Sequence, residues 1–199
     1  SGTLVPEGED SMPTLHNYEI VNIVASTRAD HQIDLELLSQ KLRQATYEPQ
    51  FFPGLIYRRS NPRVTVIMFS TGKIVSVGSR SEETARRAIT TTISEISKIQ
   101  SQKIRIDKIS IENVVATCDL GCEIDLEGAI NRGIKAIYEP EQFPGMIYKV
   151  RNSVTALIFN SGKIVLVGLK SEDEIMSSLH HTYRVLKKKG CILNPRSPG

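Results

Sequence analysis

Two segments of this chain place a phenylalanine beside a proline–glycine turn, a residue type and spacing suited to contact with a ligand. Residues 47–57 read YEPQFFPGLIY, and residues 138–148 read YEPEQFPGMIY. Turns usually carry polar residues, because their backbone faces water. Phe52 and Phe143 therefore suggest aromatic rings offered outward, although a ring tucked under its own loop would explain the same letters equally well.

The residues that serve catalysis or metal binding show no comparable arrangement. No set of nucleophile, base and orienting group recurs in the sequence. The four histidines fall in a tail, a loop and a helix: His16, His31, His180, His181. Three cysteines, Cys118, Cys122 and Cys191, leave an odd thiol and have no second cysteine pair or partnered histidines. We expect free structural thiols in a reducing compartment, no metal, no cofactor and no enzymatic activity.

Composition sets broad limits on the class of protein. The chain has 199 residues, 40% hydrophobic and 24% charged, which is ordinary for a globular protein. Its net charge of +3 permits an acidic partner such as nucleic acid without demanding one. No apolar run long enough for a membrane span and no signal-peptide core is visible, so we expect a soluble, non-secreted protein without membrane partners.

An internal duplication organises the sequence. VNIVAST (21–27) matches ENVVATC (112–118), and FSTGKIVSVG (69–78) matches FNSGKIVLVG (159–168) at seven of ten positions. The offset is 91 residues up to Tyr57 and Tyr148 and 90 residues from Phe69 and Phe159 onward. We predict two repeats, 17–104 and 105–190, packed about a pseudo-twofold axis between flexible tails 1–16 and 191–199.

Each repeat has the same order of predicted elements. A strand comes first, followed in the first copy by a helix over residues 34–45 and three short strands punctuated by Gly, Pro and Asn. A long helix then begins at Ser81, whose position before Glu83 and Thr84 is typical of a capping box.

The short strands are apolar on both faces. In KIVSVG, Ile74 and Ser76 point one way while Val75 and Val77 point the other, because side chains alternate along a strand. Antiparallel sheets are usually apolar on one face unless something covers the second. Helices can cover one face, so the other must meet another sheet, a partner chain or a ligand.

This second face has the chemistry of a DNA minor-groove surface. Its predicted floor is formed by matched residues of the two copies: Asn22, Val24, Ile67, Val75, Val77, Asn113, Val115, Leu157, Val165, Val167. Its rim is basic: Arg58, Lys73, Arg80, Lys149, Lys163, Lys170. Asn amides can satisfy the A N3 and T O2 acceptors, and the cations suit phosphates. Two phenylalanine pairs, Phe52 with Phe69 and Phe143 with Phe159, could act as wedges between base steps.

These twice-repeated motifs resemble the core of the TATA-binding protein family over about residues 14–190. The resemblance implies an α+β saddle, in which two pseudo-symmetric repeats form one curved antiparallel sheet of about ten strands with helices on its convex side. It also implies that the four phenylalanines intercalate at the two ends of a TATA element, and that the two turn segments are the saddle's stirrup loops. A kink of about 80° is the value known for the family, and nothing in this sequence alone gives it.

The sequence departs from the family at Val77 and Val167, where a threonine usually precedes the strand's glycine. Losing a hydroxyl at each site could weaken the preference for central A·T steps, since an unpaired buried acceptor costs about 1–3 kcal/mol. The other interpretation is that valine packs against the sugars and the Asn pair suffices.

The resemblance further implies partners and a location. They are promoter DNA, factors resembling transcription factors two B and two A, and the RNA polymerase machinery, in a nucleus or in the cytoplasm or nucleoid of an archaeon. Glu139 and Glu141 match stirrup residues that contact the two-B-like factor. Without DNA, the apolar face could pair two copies in a homodimer.

We therefore expect a general initiation factor that bends promoter DNA and nucleates the preinitiation complex. The alternative is a related factor that keeps the saddle but acts mainly as a protein platform with weak or altered TATA affinity. A third class, an enzyme with an accessory saddle domain, finds no support in these residues.

Overall fold

The computed structural model describes residues 17–195, so the predicted tail 1–16 and residues 196–199 lie outside the described part of the chain. The first repeat contains β1 (Tyr18–Arg28), α1 (Leu35–Lys41), β2 (Ala45–Thr46), β3 (Leu55–Ser60), β4 (Arg63–Met68), β5 (Lys73–Ser79) and α2 (Glu82–Ile99). The second contains β6 (Ser110–Asp119), β7 (Cys122–Ile124), α3 (Leu126–Asn131), β8 (Ala136–Ile137), β9 (Met146–Arg151), β10 (Val154–Ile158), β11 (Lys163–Leu169), α4 (Asp173–Lys188) and β12 (Ile192–Pro195).

Ten of these strands form one antiparallel sheet, which confirms the predicted α+β saddle. The strand order is β2-β3-β4-β5-β1-β6-β11-β10-β9-β8, so each repeat supplies five consecutive strands. The two repeats join where β1 pairs antiparallel with β6, with Val24 opposite Asn113 and Ile23 opposite Val114. This central pairing makes the two halves one continuous surface.

Burial follows the predicted alternation along the strands. In β5, Ile74 and Ser76 are buried whereas Val75 and Val77 are half-buried, and β11 repeats the pattern. The buried side chains pack under α2 and α4, whose inward faces carry residues such as Ile89, Ile96, Ile175 and Leu179. The helices thus cover one face of the sheet and leave the other half-exposed.

The helix ends follow from local chemistry. Ser81 caps α2, as predicted, since its hydroxyl accepts the Thr84 N–H. The N-terminal ends of α2 and α4 meet, because the side chains of Glu82, the first residue of α2, and Glu172, which precedes α4, each accept the other's backbone N–H. This reciprocal contact fixes the two long helices against each other.

The first helix is shorter than the sequence predicts. Asp34, where the helix was predicted to start, caps it by accepting the Leu37 N–H, but α1 ends at Lys41 instead of reaching residue 45. Leu42 is already extended and Gln44 has a left-handed backbone with φ of 62°, which turns the chain into β2. The apolar periodicity of this segment continues past the turn, so periodicity alone did not reveal where the helix ends.

The start of the predicted C-terminal tail is ordered. Cys191 is fully buried, and β12 pairs antiparallel with β7, placing Ile192 opposite Ile124. The expectation of a flexible tail from residue 191 is therefore wrong as far as Pro195. The Pro-containing composition suggested a tail, but residues 192–195 form a short strand that pairs with the second repeat. Cys118, Cys122 and Cys191 are buried and are not joined in disulfides. No helix between residues 17 and 195 is long and apolar enough to cross a membrane.

Candidate nucleic-acid interface

The concave face of the sheet carries one aromatic pair in each half. The rings of Phe52 and Phe69 lie 5.9 Å apart at 67°, and those of Phe143 and Phe159 lie 5.8 Å apart at 69°. Such edge-to-face contacts stabilise the position of each ring. Phe52 remains 39% exposed despite this contact. The rings thus form prearranged apolar edges on the surface rather than part of the core.

The glycines of the two turn segments make room for these pairs. A side chain added at Gly54 would meet the Phe52 ring at 2.7 Å, and one at Gly145 would meet Phe143 at 2.9 Å. Phe52 and Phe143 also sit on tight turns, since their N–H groups donate to the carbonyls of Glu48 and Glu139 at 3.0 Å. The repeated proline–glycine motif therefore holds an aromatic ring against the hairpin behind it.

Two asparagine amides lie near the middle of the face in fixed orientations. The Gly78 N–H donates to Asn22 Oδ1 at 2.8 Å, and the Gly168 N–H donates to Asn113 Oδ1 at 2.9 Å. A backbone N–H can only donate, so the oxygen of each amide must face the glycine. Each –NH₂ group is then directed away from that contact, and the two amides can present hydrogen-bond donors on the concave side.

A β-bulge creates each of these glycine contacts. Val77 and Gly78 together lie opposite the single residue Val24, and Gly78 has φ of +92°. The second repeat has the same arrangement at Val167 and Gly168, whose φ is +79°. An extra residue interrupts the ladder locally, and glycine tolerates the left-handed backbone that this requires. The sequence pattern predicted the asparagines but not the glycines that orient them.

The remaining floor residues are half-buried and form one surface across the central strands. They are the apolar residues that the strand alternation placed on this face: Val24, Ile67, Val75, Val77, Val115, Leu157, Val165, Val167. Thr65 lies directly opposite Val77, and Thr155 lies opposite Val167. A threonine therefore stands across the ladder from each valine that replaces the family's usual threonine. The alternation of the strand pattern already placed Thr65 on this face, but neither threonine was among the predicted floor residues.

The predicted rim cations are all exposed, but three of them have protein partners. Arg58 donates to the Thr46 hydroxyl at 3.2 Å, and Arg80 forms an exposed ion pair with Glu19 at 3.2 Å. Lys170 Nζ donates to the Glu112 carbonyl at 2.6 Å. Such exposed contacts are weak enough to exchange for phosphate oxygens. Lys73 and Lys163 lie at the starts of β5 and β11, beside Arg28 and Asp119 of the neighbouring strands.

The two turn segments differ at their tips. Glu139 and Glu141 are exposed in the second segment. In the first segment, Phe51 is 82% exposed, and its counterpart in the second is the amide residue Gln142. Phe51 was not among the predicted site residues, although the doubled phenylalanine of the first segment already distinguished it from the second.

A sequence profile of a known family matches both repeats. The family described as "Transcription factor TFIID (or TATA-binding protein, TBP)" matches residues 17–99 and 108–189, which is most of the chain. The chain belongs to the TATA-binding protein family. This is a family of transcription factors and not of enzymes.

Relatives at about 40% identity support the same assignment over nearly the whole length. The TATA-box-binding protein of Pyrobaculum aerophilum is 40% identical over 178 residues, which cover 88% of this chain and 89% of that protein. That of Methanocaldococcus jannaschii is 41% identical over 171 residues, covering 85% and 93%. The solved structure of "Methanococcus jannaschii TBP" superposes with a TM-score of 0.75 at 40% identity, covering 86% of this chain and 98% of that one.

Proposed function

We propose that this chain binds the minor groove of A·T-rich promoter DNA through its concave face, bends the duplex and initiates assembly of the transcription machinery. The proposal rests on the two aromatic pairs, which are partly exposed. One lies in each half of the same face, and their geometries are nearly identical. Two equivalent wedges on a pseudo-twofold surface match the pseudo-twofold backbone of a duplex.

The asparagine amides supply the polar complement. The minor groove of an A·T pair offers acceptors only, whereas a G·C pair adds the guanine N2 donor. Asn22 and Asn113 direct donors outward because their oxygens accept the N–H groups of Gly78 and Gly168. At a G·C pair the asparagine –NH₂ donors would face the guanine N2 donor, which is unfavourable. The floor would therefore select A·T over G·C steps near the centre of the site.

The wedges and the rim supply binding energy and bending. Apolar side chains inserted at base steps unstack them and kink the duplex toward the major groove, which lets the DNA follow a curved protein surface. The half-exposed valines would lie against sugars and base edges. The rim residues Arg58, Lys73, Arg80, Lys149, Lys163 and Lys170 would contact phosphates, so affinity would fall as salt rises.

The protein partners and the location are part of the same proposal. The relatives named above are TATA-box-binding proteins of archaea. We infer that Glu139 and Glu141, exposed on the second turn segment, contact a factor resembling transcription factor two B, and that a two-A-like factor and RNA polymerase join the assembly. Of the two locations expected, archaeal relatives favour the DNA-containing cytoplasm over a nucleus.

Binding and bending can be tested in one assay. Fluorescence anisotropy and end-to-end energy transfer would be measured on a short A·T-rich TATA duplex and on a G·C-rich duplex. We expect tight binding and shortening of the TATA duplex only, and loss of the shortening in the Phe52→Ala/Phe143→Ala variant. Phe51→Ala is the matched control, because it removes a ring from the same loop but not from an aromatic pair. Equal binding of both duplexes without shortening would contradict the proposal.

A second function is favoured by one observation, the valines at positions 77 and 167. If the missing hydroxyls remove most of the TATA preference, the saddle would act mainly as a protein platform, and its concave face could pair two copies. Weak binding to both duplexes, with TATA affinity restored in Val77→Thr/Val167→Thr, would support this alternative.

A further inference from the structure

The convex side of the second repeat has a small pocket beside α4 that is lined by basic and polar side chains. It lies between the end of β9 and the middle of α4, and its volume is about 390 Å³. The lining residues are Val150, Arg151, Ser177, His180, His181 and Arg184. The lining includes no carboxylate, and no described residue forms an ion pair with Arg151 or Arg184. The pocket therefore offers donors and positive charge without an acid of its own.

The guanidinium of Arg151 is held in place by uncharged groups. Its Nη2 donates to the Ser177 hydroxyl at 2.7 Å and to the Ser178 hydroxyl at 3.3 Å. The same nitrogen donates to the Glu174 carbonyl at 3.4 Å. These contacts orient the side chain without neutralising its charge, and they leave the Nη1 donors of Arg151 for a ligand. A guanidinium prearranged in this way suits a carboxylate, which it can bind through two parallel hydrogen bonds.

A row of basic residues continues from the pocket along α4. His180, Arg184 and Lys188 follow one another at intervals of four, so they lie on the same side of the helix, with successive members about 6 Å apart along its axis. Arg184 and Lys188 are exposed, and His180 is half-buried. Residues 175–190 contain no aspartate or glutamate. The row therefore extends the basic surface of the pocket toward the C-terminal end of α4.

The first repeat has no equivalent of this basic surface. The counterparts of the polar pocket residues, in the same order, are Ser60, Arg87, Thr90, Thr91 and Ser94, of which one is basic. The arginine at the strand–helix contact of the first repeat, Arg59, meets the Glu95 carboxylate of α2 at 2.9 Å. In α4 the counterpart of Glu95 is Val185. The first repeat thus supplies a carboxylate to its own arginine, whereas the second leaves its cations to an acid from outside.

We propose that this pocket and the basic row of α4 bind an extended acidic segment of a partner protein, with carboxylates at alternate residues. The inference goes beyond the proposed function and does not require DNA binding. Alternate side chains of an extended chain point the same way and lie about 6.6 Å apart. The basic residues of the row have nearly the same spacing, about 6 Å. An extended segment can therefore place successive carboxylates beside successive basic side chains.

The size and place of the pocket favour a protein segment over a nucleic acid. A cavity of about 390 Å³ receives one or two side chains, whereas a DNA interface covers a broad surface. The pocket also lies on the helical side of the sheet, opposite the concave face that we propose for DNA. A partner bound there would leave the concave face free, so the segment and a duplex could be bound at the same time.

Binding can be measured with a defined peptide. The probe is a fluorescein-labelled peptide of alternating glutamate and serine, and the control is the neutral peptide in which glutamine replaces each glutamate. Fluorescence anisotropy would be recorded on the full chain at low ionic strength and again with added salt. We expect saturable binding of the acidic peptide only, and weaker binding as salt rises, because the charges on both sides are exposed to solvent. Absence of saturable binding at low ionic strength would overturn the inference.

Variants locate the binding site. Arg151→Ser/Arg184→Ser gives the pocket the residues of the first repeat and should weaken peptide binding by about tenfold, since each exposed ion pair contributes up to about fivefold. Arg87→Ser/Lys98→Ser removes the same charge from α2 and should change binding little. Arg184→Ser alone should weaken binding by up to about fivefold, and urea denaturation would verify that each variant keeps its stability.

Three other outcomes would overturn the inference. Equal losses in the α2 and pocket variants would mean that the peptide responds only to net charge. A loss in Lys73→Ser/Lys163→Ser, with none in the pocket variant, would place the peptide on the concave face. Displacement of the peptide from the unaltered chain by oligothymidylate or by inorganic phosphate, at constant ionic strength, would assign the pocket to a nucleic acid or to a single anion. Since none of these measurements uses a TATA duplex, failure here leaves the proposed function untouched.

Discussion

The two repeats differ least where they share the concave face and most on their outer sides. The floor residues of the two repeats match almost one for one, and the two aromatic pairs have nearly the same separation and angle. On the convex side, the first repeat has a buried ion pair where the second has two valines. A duplex with twofold character, the proposed ligand of the concave face, would place the same demands on both copies there, while the outer sides have separate environments.

The convex difference centres on Arg59. Arg59 is only 8% exposed, and its guanidinium contacts Glu95 at 2.9 Å, Thr92 at 3.2 Å and the face of the Tyr57 ring. Burial, and then the hydrogen bond to Glu95, raise the pKa of Tyr57. The corresponding positions of Arg59 and Glu95 in the second repeat are Val150 and Val185.

The second repeat uses its tyrosine differently. The Tyr148 ring stacks on His181, and its hydroxyl lies 3.0 Å from His181 Nε2. Burial alone raises the pKa of Tyr148. The same strand–helix contact is therefore made by an ion-paired network in one copy and by a stacked tyrosine–histidine pair in the other.

Removing half of the ion pair should have the largest effect. Arg59→Val would leave the Glu95 carboxylate without its cation and should lower the free energy of unfolding by about 2–3 kcal/mol, somewhat less than for a fully buried pair because Glu95 is partly exposed. Arg59→Val/Glu95→Val copies the second repeat and should recover most of that loss. Urea denaturation measures both variants, and a double variant as unstable as the single one would contradict this account.

The equivalence of the two floors can be tested at the asparagines. Asn22→Asp keeps an oxygen for the Gly78 N–H, so folding should be preserved, but it replaces the outward donors with an acceptor and a charge. We expect DNA affinity to fall by roughly tenfold or more, since losing a buried hydrogen bond in this way costs about 1–3 kcal/mol.

Asn113→Asp is the matched variant in the second repeat and should weaken binding equally. Anisotropy titrations on the same TATA duplex compare the two. A loss confined to one variant would show that the halves do not share the groove as equals.

Replacing either valine by threonine should have a smaller effect on DNA affinity, and a favourable one. Val77→Thr or Val167→Thr adds a hydroxyl at a half-exposed floor position and should raise affinity for the TATA duplex by about fivefold per site, because one new hydrogen bond contributes about 1 kcal/mol. If both variants bind with unchanged affinity and sequence preference, Thr65 and Thr155 across the ladder, together with the asparagines, already satisfy the groove acceptors.

The smallest effect is expected at the tips of the turn segments. Phe51→Gln gives the first segment the residue of the second and should change the free energy of unfolding by less than about 0.5 kcal/mol, because the ring is 82% exposed. Gln142→Phe is the reciprocal variant. Thermal or urea unfolding measures both, and a clear loss of stability in Phe51→Gln would mean that the ring has structural contacts beyond its exposed position.

Local sequence rules predicted a large part of this fold. The duplication predicted two repeats. The alternation in KIVSVG and its copy predicted which side chains face the core and which the concave side, because strand side chains alternate with a period of two. The capping residue Ser81 could be predicted because capping depends on neighbours two or three residues away. These features needed no knowledge of distant contacts.

Other features depend on residues far apart in the chain. The turn of the chain at Gln44 shortened α1, and the pairing of β12 with β7 ordered residues 192–195. The orientation of the Asn22 amide requires a bulge 56 residues away. The ion pair of Arg59 with Glu95 likewise forms only when α2 packs on β3.

The sequence by itself determined the two repeats, the order of their main elements, the four phenylalanines and the composition of the floor, because each of these follows from local pattern and from comparison of the copies. Tertiary structure decided which donors the asparagines present and which distant residues meet across the central strands. The antiparallel pairing of β1 with β6 brings Ser110 beside Ser26 and Glu19 beside Thr117, residues more than 80 positions apart. Hydrogen bonds and contacts act through space, so only the register of the central strands, with its bulges, reveals how each asparagine amide is oriented.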